Sequence, residues 1–251
     1  MVKIIMHGCN GKMGQVISGL IAADPDMELV AGIDARDDGH NPYPVFTDIY
    51  KCDVAADAII DFSAAVAVDK LLDYCVEKKL PCVLCTTGLS EAQLAKVDEA
   101  AKKVAILKSA NMSLGINLML KLLKEAAGVL APAGFDIEIV EKHHNQKLDA
   151  PSGTAKQLLA YMDPKHEHEI VYGRAGHPGK RGREIGLHAV RGGTGAGEHS
   201  VHFFGQMEEI ELRHRADSRE IFARGALKAA AFAVRAEPGL YDMEDVLFGG
   251  H

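Results

Sequence analysis

The sequence predicts an α/β protein in two parts: a parallel sheet covered by helices on both faces, and an α+β part built on a mixed, open sheet. Three observations carry this reading. Short apolar runs alternate with helical segments through the first half; a glycine-rich turn joins the first run to the first helix; and beyond the middle the runs follow one another with no long helices between them. Strand and helix in alternation imply crossovers and parallel pairing, whereas strands in direct succession imply antiparallel or mixed pairing.

The first strand spans 2–7 and runs into Gly8-Cys9-Asn10-Gly11-Lys12-Met13-Gly14. Glycines at 8, 11 and 14 let the turn close tightly, let the backbone approach a pyrophosphate, and let the next helix pack close to its strand. The spacing is a variant of G-x-G-x-x-G, and its context supports it: a helix over 12–23, a strand over 27–33, and Asp34 at that strand's end. Asp34 falls about twenty residues beyond Gly14, where a carboxylate accepts hydrogen bonds from an adenosine ribose. This is the pattern of a Rossmann-like dinucleotide-binding domain. Strands over 57–62, 81–85 and 104–108, with helices over 64–78 and 90–102, complete it. Asp61-Phe62-Ser63, Cys85-Thr86-Thr87-Gly88 and Ser109-Ala110-Asn111-Met112 each follow a strand, at the edge of the sheet where ligands bind. Their hydroxyls, amides and glycine suit a nicotinamide and its ribose.

After a helix near 113–130 the pattern changes. A strand over 135–142 and a helix over 152–162 are followed by strand-like runs near 168–172, 185–191, 199–205 and 207–214. Little helical material remains here to cover an open sheet, so packing against the same sheet of another subunit is expected, in a homo-oligomer. The helical stretch 218–235 and the tail through Phe248 return to the first domain. The expected division is a dinucleotide-binding domain of 1–113 and 219–251 and a substrate-binding and oligomerisation domain of 114–218.

The densest chemistry lies in Glu141-Lys142-His143-His144-Asn145-Gln146-Lys147-Leu148-Asp149-Ala150-Pro151-Ser152-Gly153-Thr154. A loop that only connects a strand to a helix needs turn residues, not this many titratable groups. Imidazoles at His143 and His144 can give and take a proton near neutrality, and Lys147 offers a cation for a carboxylate. Ser152, Gly153 and Thr154 read as a helix N-terminus, whose N–H groups and dipole attract anions. The stretch describes a pocket for an acidic small molecule that is protonated during reaction, set against the blander reading of a solvated loop with incidental histidines.

Composition bounds the function classes. At 251 residues, 47% hydrophobic and 25% charged, the chain suits an ordinary globular enzyme of one or two domains. A formal charge of −7 gives no general attraction to nucleic acid or to an anionic membrane, so an anionic ligand must be held by local cations. The run holding Arg174, Lys180, Arg181, Arg183 and Arg191 reads equally as a flexible lid over the substrate or as an exposed charged loop. Five cysteines without a disulfide framework, and no leader, point to a reduced, cytoplasmic protein. Cys82 and Cys85 match C-x-x-C, but on a strand positions three apart face opposite sides. His166 with His168, and His199 with His202, have no acidic or cysteine cluster to complete a metal site, so no metal is expected. No stretch approaches the roughly 20 apolar residues of a membrane span.

These motifs together resemble the dihydrodipicolinate reductases, also called 4-hydroxy-tetrahydrodipicolinate reductases, of the diaminopimelate route to lysine. The resemblance runs over nearly the whole chain: the glycine turn, Thr86-Thr87-Gly88, Ala110-Asn111-Met112-Ser113, the histidine loop through Thr154, Arg174-Ala175-Gly176-His177, Gly186, Arg191, Gly197-Glu198-His199 and Ser218-Arg219. The histidine loop is specific to that family; the glycine turn is not. The resemblance implies reduction of a cyclic dicarboxylate by NADH or NADPH, with loss of the 4-hydroxyl as water and hydride delivery to C4. It implies His143 as proton donor or acceptor and Lys147 as second proton donor, with His144, Lys147, Ser152, Gly153 and Thr154 lining the substrate. It implies Gly8, Cys9, Asn10, Gly11, Lys12, Met13, Asp34, Cys85, Thr86, Thr87, Ser109, Ala110, Asn111 and Met112 around the dinucleotide, and domain closure on hinges near Ser113 and Arg219.

Two positions depart from that family's pattern. Ala35 stands where many members have an arginine that would hold the 2′-phosphate of NADPH; this tilts the expectation toward NADH, although Arg36 or Lys12 leaves dual use open. Cys85 replaces the glycine of a Gly-Thr-Thr-Gly run, which leaves two readings open: a side chain that crowds the nicotinamide ribose, or a carbonyl that with Thr86 and Thr87 serves unchanged. The sequence also leaves room for a non-catalytic dinucleotide sensor, another nicotinamide enzyme such as an amino-acid dehydrogenase, or an inactive oligomeric scaffold. The −7 charge and the intact histidine loop weigh against the sensor, and the Ser-Gly-Thr turn weighs against the dehydrogenase.

Overall fold

The chain enters β1 (Val2–His7), whose apolar side chains point alternately to the two faces of a sheet, Ile4 and Met6 to one and Ile5 to the other. A computed structural model describes residues 1–249. After β1 come α1 (Lys12–Ala22), β2 (Met27–Ile33), the short β3 (Val45–Phe46), β4 (Ala58–Asp61), α2 (Ala65–Lys78), β5 (Cys82–Leu84), α3 (Glu91–Ala101) and β6 (Ala105–Lys108). Contacts divide the chain into two compact units, Met1–Leu114 with the chain from Glu220 onward, and Gly115–Arg219.

The second unit is carried by α4 (Leu114–Leu130), β7 (Asp136–His143), α5 (Gly153–Met162), β8 (Glu169–Val171), β9 (Glu184–Arg191), β10 (Gly197–Phe204) and β11 (Glu209–Ala216). Its sheet has the order β11-β10-β7-β9-β8, parallel from β7 through β9 to β8 and antiparallel on both sides of β10. That is the mixed sheet expected. One face is apolar because Ile137 and Ile139 of β7 sit beside Ile185 and Leu187 of β9 and beside Phe203 and Val201 of β10. Onto it pack Ile116, Leu120 and Leu123 of α4 and Ala155 and Leu158 of α5, all nearly or fully buried. This part therefore does not lack helices to cover its sheet, contrary to the expectation from sequence: α4 and α5 cover the apolar part of one face. The opposite face carries Glu138, His188, Ser200 and His202, with Val190 and Phe204 exposed among them.

The chain then returns through α6 (Glu220–Ala233), β12 (Gly239–Tyr241) and α7 (Met243–Phe248) to complete the first unit. Its sheet is parallel throughout, in the order β12-β6-β5-β4-β1-β2-β3. α2 and α3 cover one face through Val68, Leu71, Leu72 and Val97, and α1 and α6 cover the other through Ile17, Ile21 and a row of alanines from Ala223 to Ala233. Small residues let α6 approach closely: a Cβ on Gly225 would collide with the carbonyl of Met112. The strand order reverses between β1 and β4, so a crevice opens there beyond their carboxyl ends, where such sheets bind ligands. No helix among the described residues is long and apolar enough to cross a membrane.

Candidate active site

In the second unit the apolar face of the sheet turns polar at one end. Along β7 the same alternation that buries Ile137 and Ile139 puts Glu141 and His143 next on that face. Glu141 is fully buried, at 0% exposure, and a carboxylate so placed needs partners on both oxygens. It has them. Its Oε2 lies 2.5 Å from His143 Nδ1, Arg191 donates from Nη1 and Nη2 to the two oxygens at 2.7 Å each, and the Ser152 N–H donates to Oε1 at 2.9 Å. Register explains the meeting, since Arg191 of β9 pairs directly with His143, and His199 of β10 with Glu141.

Burial alone would raise the Glu141 carboxyl, but the Arg191, His143 and Ser152 hydrogen bonds outweigh it and hold the group below its ordinary range. The His143 imidazole is pushed below its usual value, chiefly by burial; Glu141 pulls it back up, while Lys147 and Arg191 press it further down. His199 is driven by burial to about 4, so it is neutral at physiological pH. Its Nε2 hydrogen bonds with Ser152 Oγ at 2.9 Å, and its ring stands edge-on to His143 with centroids 5.1 Å apart. Opposite His143 lies Gly197, where a Cβ would come within 2.8 Å of Nε2. With Nδ1 committed to Glu141, Nε2 is the atom left for chemistry.

The loop after β7 is tied to the turn between β9 and β10. Gly192 N donates to His143 O at 3.0 Å, and the His144 and Asn145 amides donate to Gly195 O and Gly193 O at 3.1 Å each. Lys147 Nζ sits 2.8 Å from Asp149, and His144 Nε2 lies 3.5 Å from Arg219 Nη2. Ser152 caps α5, its hydroxyl accepting from Ala155 N at 3.1 Å, so Gly153 and Thr154 form the first turn. First-turn amides have no partner within their own helix. His143, His144, Lys147, Ser152, Gly153 and Thr154 are thus gathered on one loop and one helix start.

The basic run is largely exposed, as one of its two readings had it, and its arginines are tied to carboxylates. Arg174 grips Glu138 with both terminal nitrogens at 2.9 and 2.8 Å, Arg181 binds the same carboxylate, and His188 reaches it at 2.6 Å. Burial would raise Glu138, but these partners drive it down to about 2. Arg183 pairs with Glu167, and Arg191 belongs to the Glu141 cluster.

In the first unit a cleft of about 510 Å³ opens at the reversal of strand order, lined by His7, Gly8, Asn10, Gly11, Asp34, Arg36, Phe62 and Ser63 among others. Gly8 has φ +82, and a Cβ there would meet the Phe62 carbonyl oxygen at 2.6 Å; one on Gly14 would run into the backbone of Gly8 and Cys9. Only glycine permits this turn. Asp34 closes it by accepting from Asn10 N at 2.9 Å and Ala35 N at 2.8 Å, and each oxygen keeps a lone pair for a ribose hydroxyl. Lys12 is exposed at the start of α1, and Met13 packs partly against the core. Arg36 is 77% exposed and pairs with Asp38 at 3.0 Å. The backbone cradle and its carboxylate fit a dinucleotide.

Under the same edge lies a buried polar cluster that joins two of the strand tips named from the sequence to His7. Asp61, fully buried, sits 2.8 Å from His7 Nδ1 and accepts from Thr86 Oγ1 at 2.6 Å. Burial would raise its carboxyl, but His7, Ser63 and Thr86 lower it below its ordinary value. Thr87 is exposed beside it, and Ser109 Oγ donates to Asn111 O at 3.0 Å in a turn that includes Ala110 and buried Met112. Cys85 does not crowd this edge, as the sequence argument feared. Its side chain turns into the core with Ile4, Met6 and Val83, and burial pushes its thiol far up. Cys82 faces the other core, as strand alternation requires, and all five cysteines are free thiols.

Comparison with known proteins matches both units. The family model for the dihydrodipicolinate reductase N-terminus covers residues 2–112, and that for the C-terminus covers 115–247. The chain belongs to the dihydrodipicolinate reductase family. Among relatives, the 4-hydroxy-tetrahydrodipicolinate reductase of Caldanaerobacter subterraneus subsp. tengcongensis is 49% identical over 253 residues, covering 100% of both chains. That of Clostridium tetani is 47% identical over 249 residues, covering 98% of this chain and 97% of its own. A dipicolinate-bound dihydrodipicolinate reductase from Paenisporosarcina sp. TG-14 superposes with a TM-score of 0.82 at 26% identity, covering 96% of this chain and 97% of that one. As a member of the family the protein is an NAD(P)-binding oxidoreductase acting on a small molecule. Membership sets aside the non-catalytic sensor, the amino-acid dehydrogenase and the inactive scaffold. Glu141, Arg191, His199 and Asp61 all stand in segments named from the sequence, but neither they nor His7 were given a role in the site there. The one available signal was alternation, which puts Glu141 on the face of His143.

Proposed function

We propose that this dihydrodipicolinate reductase converts 4-hydroxy-tetrahydrodipicolinate to tetrahydrodipicolinate, with loss of water, in the diaminopimelate route to lysine, and that its two units divide the work. The second unit binds the cyclic dicarboxylate: His144, Lys147, Ser152, Gly153 and Thr154 supply the cation, hydroxyls and N–H groups that carboxylates require. His143, through Nε2, is the proton donor, with Lys147 as second donor. The first unit holds the dinucleotide with Gly8, Cys9, Asn10, Gly11, Lys12, Met13 and Asp34 at the adenosine and pyrophosphate end. Cys85, Thr86, Thr87, Ser109, Ala110, Asn111 and Met112 line the nicotinamide end. When bound, the reduced nicotinamide supplies the hydride. Reduction of a conjugated ring leaves negative charge on it, and an acid close by lowers the barrier by neutralising that charge.

The observation that carries this reading is the Glu141-anchored imidazole of His143 standing beside the capped start of α5. The test is loss of reduced-nicotinamide absorbance with a dihydrodipicolinate synthase generating substrate in the cuvette. Wild type oxidises the cofactor in a synthase-dependent way, and His143→Gln loses on the order of 100-fold or more in kcat. Synthase-independent rates, or full activity in the variant, overturn it.

NADH is the preferred cofactor. Ala35 offers no guanidinium beside Asp34, Arg36 is paired with Asp38, and the carboxylates of Asp34, Asp37 and Asp38 repel a 2′-phosphate. The working state is a homotetramer joined through the open face of the second sheet, where Val190 and Phe204 are exposed; light scattering checks the mass. Five free thiols fit a cytoplasmic setting.

A further inference from the structure

We infer that Glu141 is a positioning residue that fixes the tautomer of His143 and locks the imidazole to the start of α5 and to Arg191, so that proton transfer runs only through Nε2. The inference rests on the proposed role of His143 and deepens it. One buried carboxylate accepts four donors: His143 Nδ1, two guanidinium nitrogens of Arg191, and Ser152 N. A carboxylate only accepts, so the proton between the imidazole and Oε2 stays on Nδ1 in the neutral ring, and Nε2 is then the sole site that gains and loses a proton.

The same four bonds fix where Nε2 points. Arg191 also donates from Nη2 to Asp149 O at 2.7 Å, so the carboxylate, the guanidinium and the loop carrying Lys147 move together. Ser152 N on the other side joins the carboxylate to the α5 N-terminus, whose hydroxyl in turn meets His199. Hence Glu141 sets the distance between the proton donor and the first-turn amides proposed to hold the substrate, although it need touch no substrate atom. Among the described residues, the charged or titratable groups that act on His143 are chiefly Glu141 on its own strand, Lys147 on the loop, Arg191 on β9 and His199 on β10. Glu141 is the only one of these that favours the protonated ring.

The test has two arms, both on the full chain. In histidine-selective ¹⁵N spectra of wild type above the imidazole titration, the signal absent from His143→Gln is expected to report a proton on Nδ1; a proton on Nε2, or a mixture, overturns the inference whatever the activity. In the kinetic arm Glu141→Gln is expected to lower kcat on the order of 100-fold with a smaller change in KM, and to move the falling limb of the pH profile to lower pH. Glu141→Asp, which keeps the charge, recovers part of the rate and leaves the limb in place. Circular dichroism melts confirm that both variants fold. If His143→Gln is inactive while folded Glu141→Gln keeps its rate and its pH limb, the positioning role is refuted and the proton donor stands. If His143→Gln is fully active, the proton-donor reading falls and the ¹⁵N result alone decides the tautomer.

Discussion

The first unit presents its proposed ligand with main chain, in a turn that only glycine can follow, closed by the single carboxylate of Asp34. The second presents side chains brought from three strands and one helix start, gathered on the single carboxylate of Glu141. A dinucleotide is long and carries its charge in a pyrophosphate, which backbone amides meet well and without titrating. A ring that must be protonated needs groups that titrate, and those groups need a buried counter-charge to set their form. The difference teaches that an acidic residue can serve opposite ends: Asp34 is offered to a ligand, whereas Glu141 is withheld from it.

Two glycine substitutions break the comparison most sharply. Gly14→Ala places a Cβ 2.7 Å from the Cys9 carbonyl oxygen, against backbone that cannot yield; the expected cost is about 1–3 kcal/mol of stability with loss of dinucleotide binding, read by thermal melts and cofactor titration. Gly197→Ala places its Cβ 2.8 Å from Nε2 of His143 instead, on backbone with φ +157 that side chains rarely adopt. It strains the backbone and pushes on the anchored imidazole together, so kcat is expected to fall along with stability, read by kinetics and thermal melts; a Gly197→Ala variant of wild-type rate would show that the His143 position is not critical.

The Lys147→Ala variant comes next. Loss of one charged hydrogen bond to a carboxylate is expected to cost about 1.5–3 kcal/mol, roughly 10–150-fold, in affinity for pyridine-2,6-dicarboxylate. Calorimetry checks it.

How much of this was legible follows the same division. The glycine turn and Asp34 are local in sequence, and their spacing carries their geometry. His143, His144 and Lys147 were visible through sheer density of titratable groups. Arg191 and His199 were named among the motifs, but not what they do: Arg191 meets Glu141 and His199 meets Ser152 only through the pairing of β7 with β9 and β10, and register between distant strands is not written in any short window. For the same reason the basic run looked like one feature when its members serve Glu138, Glu167 and Glu141 separately. The short β3 and β12 were not expected from the sequence: Val45-Phe46 is too short to show a period, and β12 sits beside Pro238 with a glycine as its first residue. The covering of the second sheet was misjudged by leaving α4 out of account.

The acid side of stability gives a smaller effect. His199 is held near 4 when folded, against an ordinary imidazole value of 6.5, so the unfolded chain binds the extra proton first. Its contribution is therefore complete above about 6.5 and is lost as pH falls toward about 4. His199→Gln should flatten that part of the stability curve in melts across pH. The mildest expected change is a shift of cofactor ratio toward NADPH in Ala35→Arg, read from kcat/KM for the two cofactors.

The most direct measurement is the pair of pH profiles, kcat/KM and kcat, for wild type and His143→Gln. The first reports the free enzyme, in which His143 lies below its ordinary value, and the second the substrate complex, in which two added carboxylates favour the protonated ring. Both wild-type profiles should fall as pH rises, with the kcat limb at higher pH, and His143→Gln should show a low rate with neither limb. A limb that persists unchanged in the variant would contradict the assignment of His143 as the proton donor.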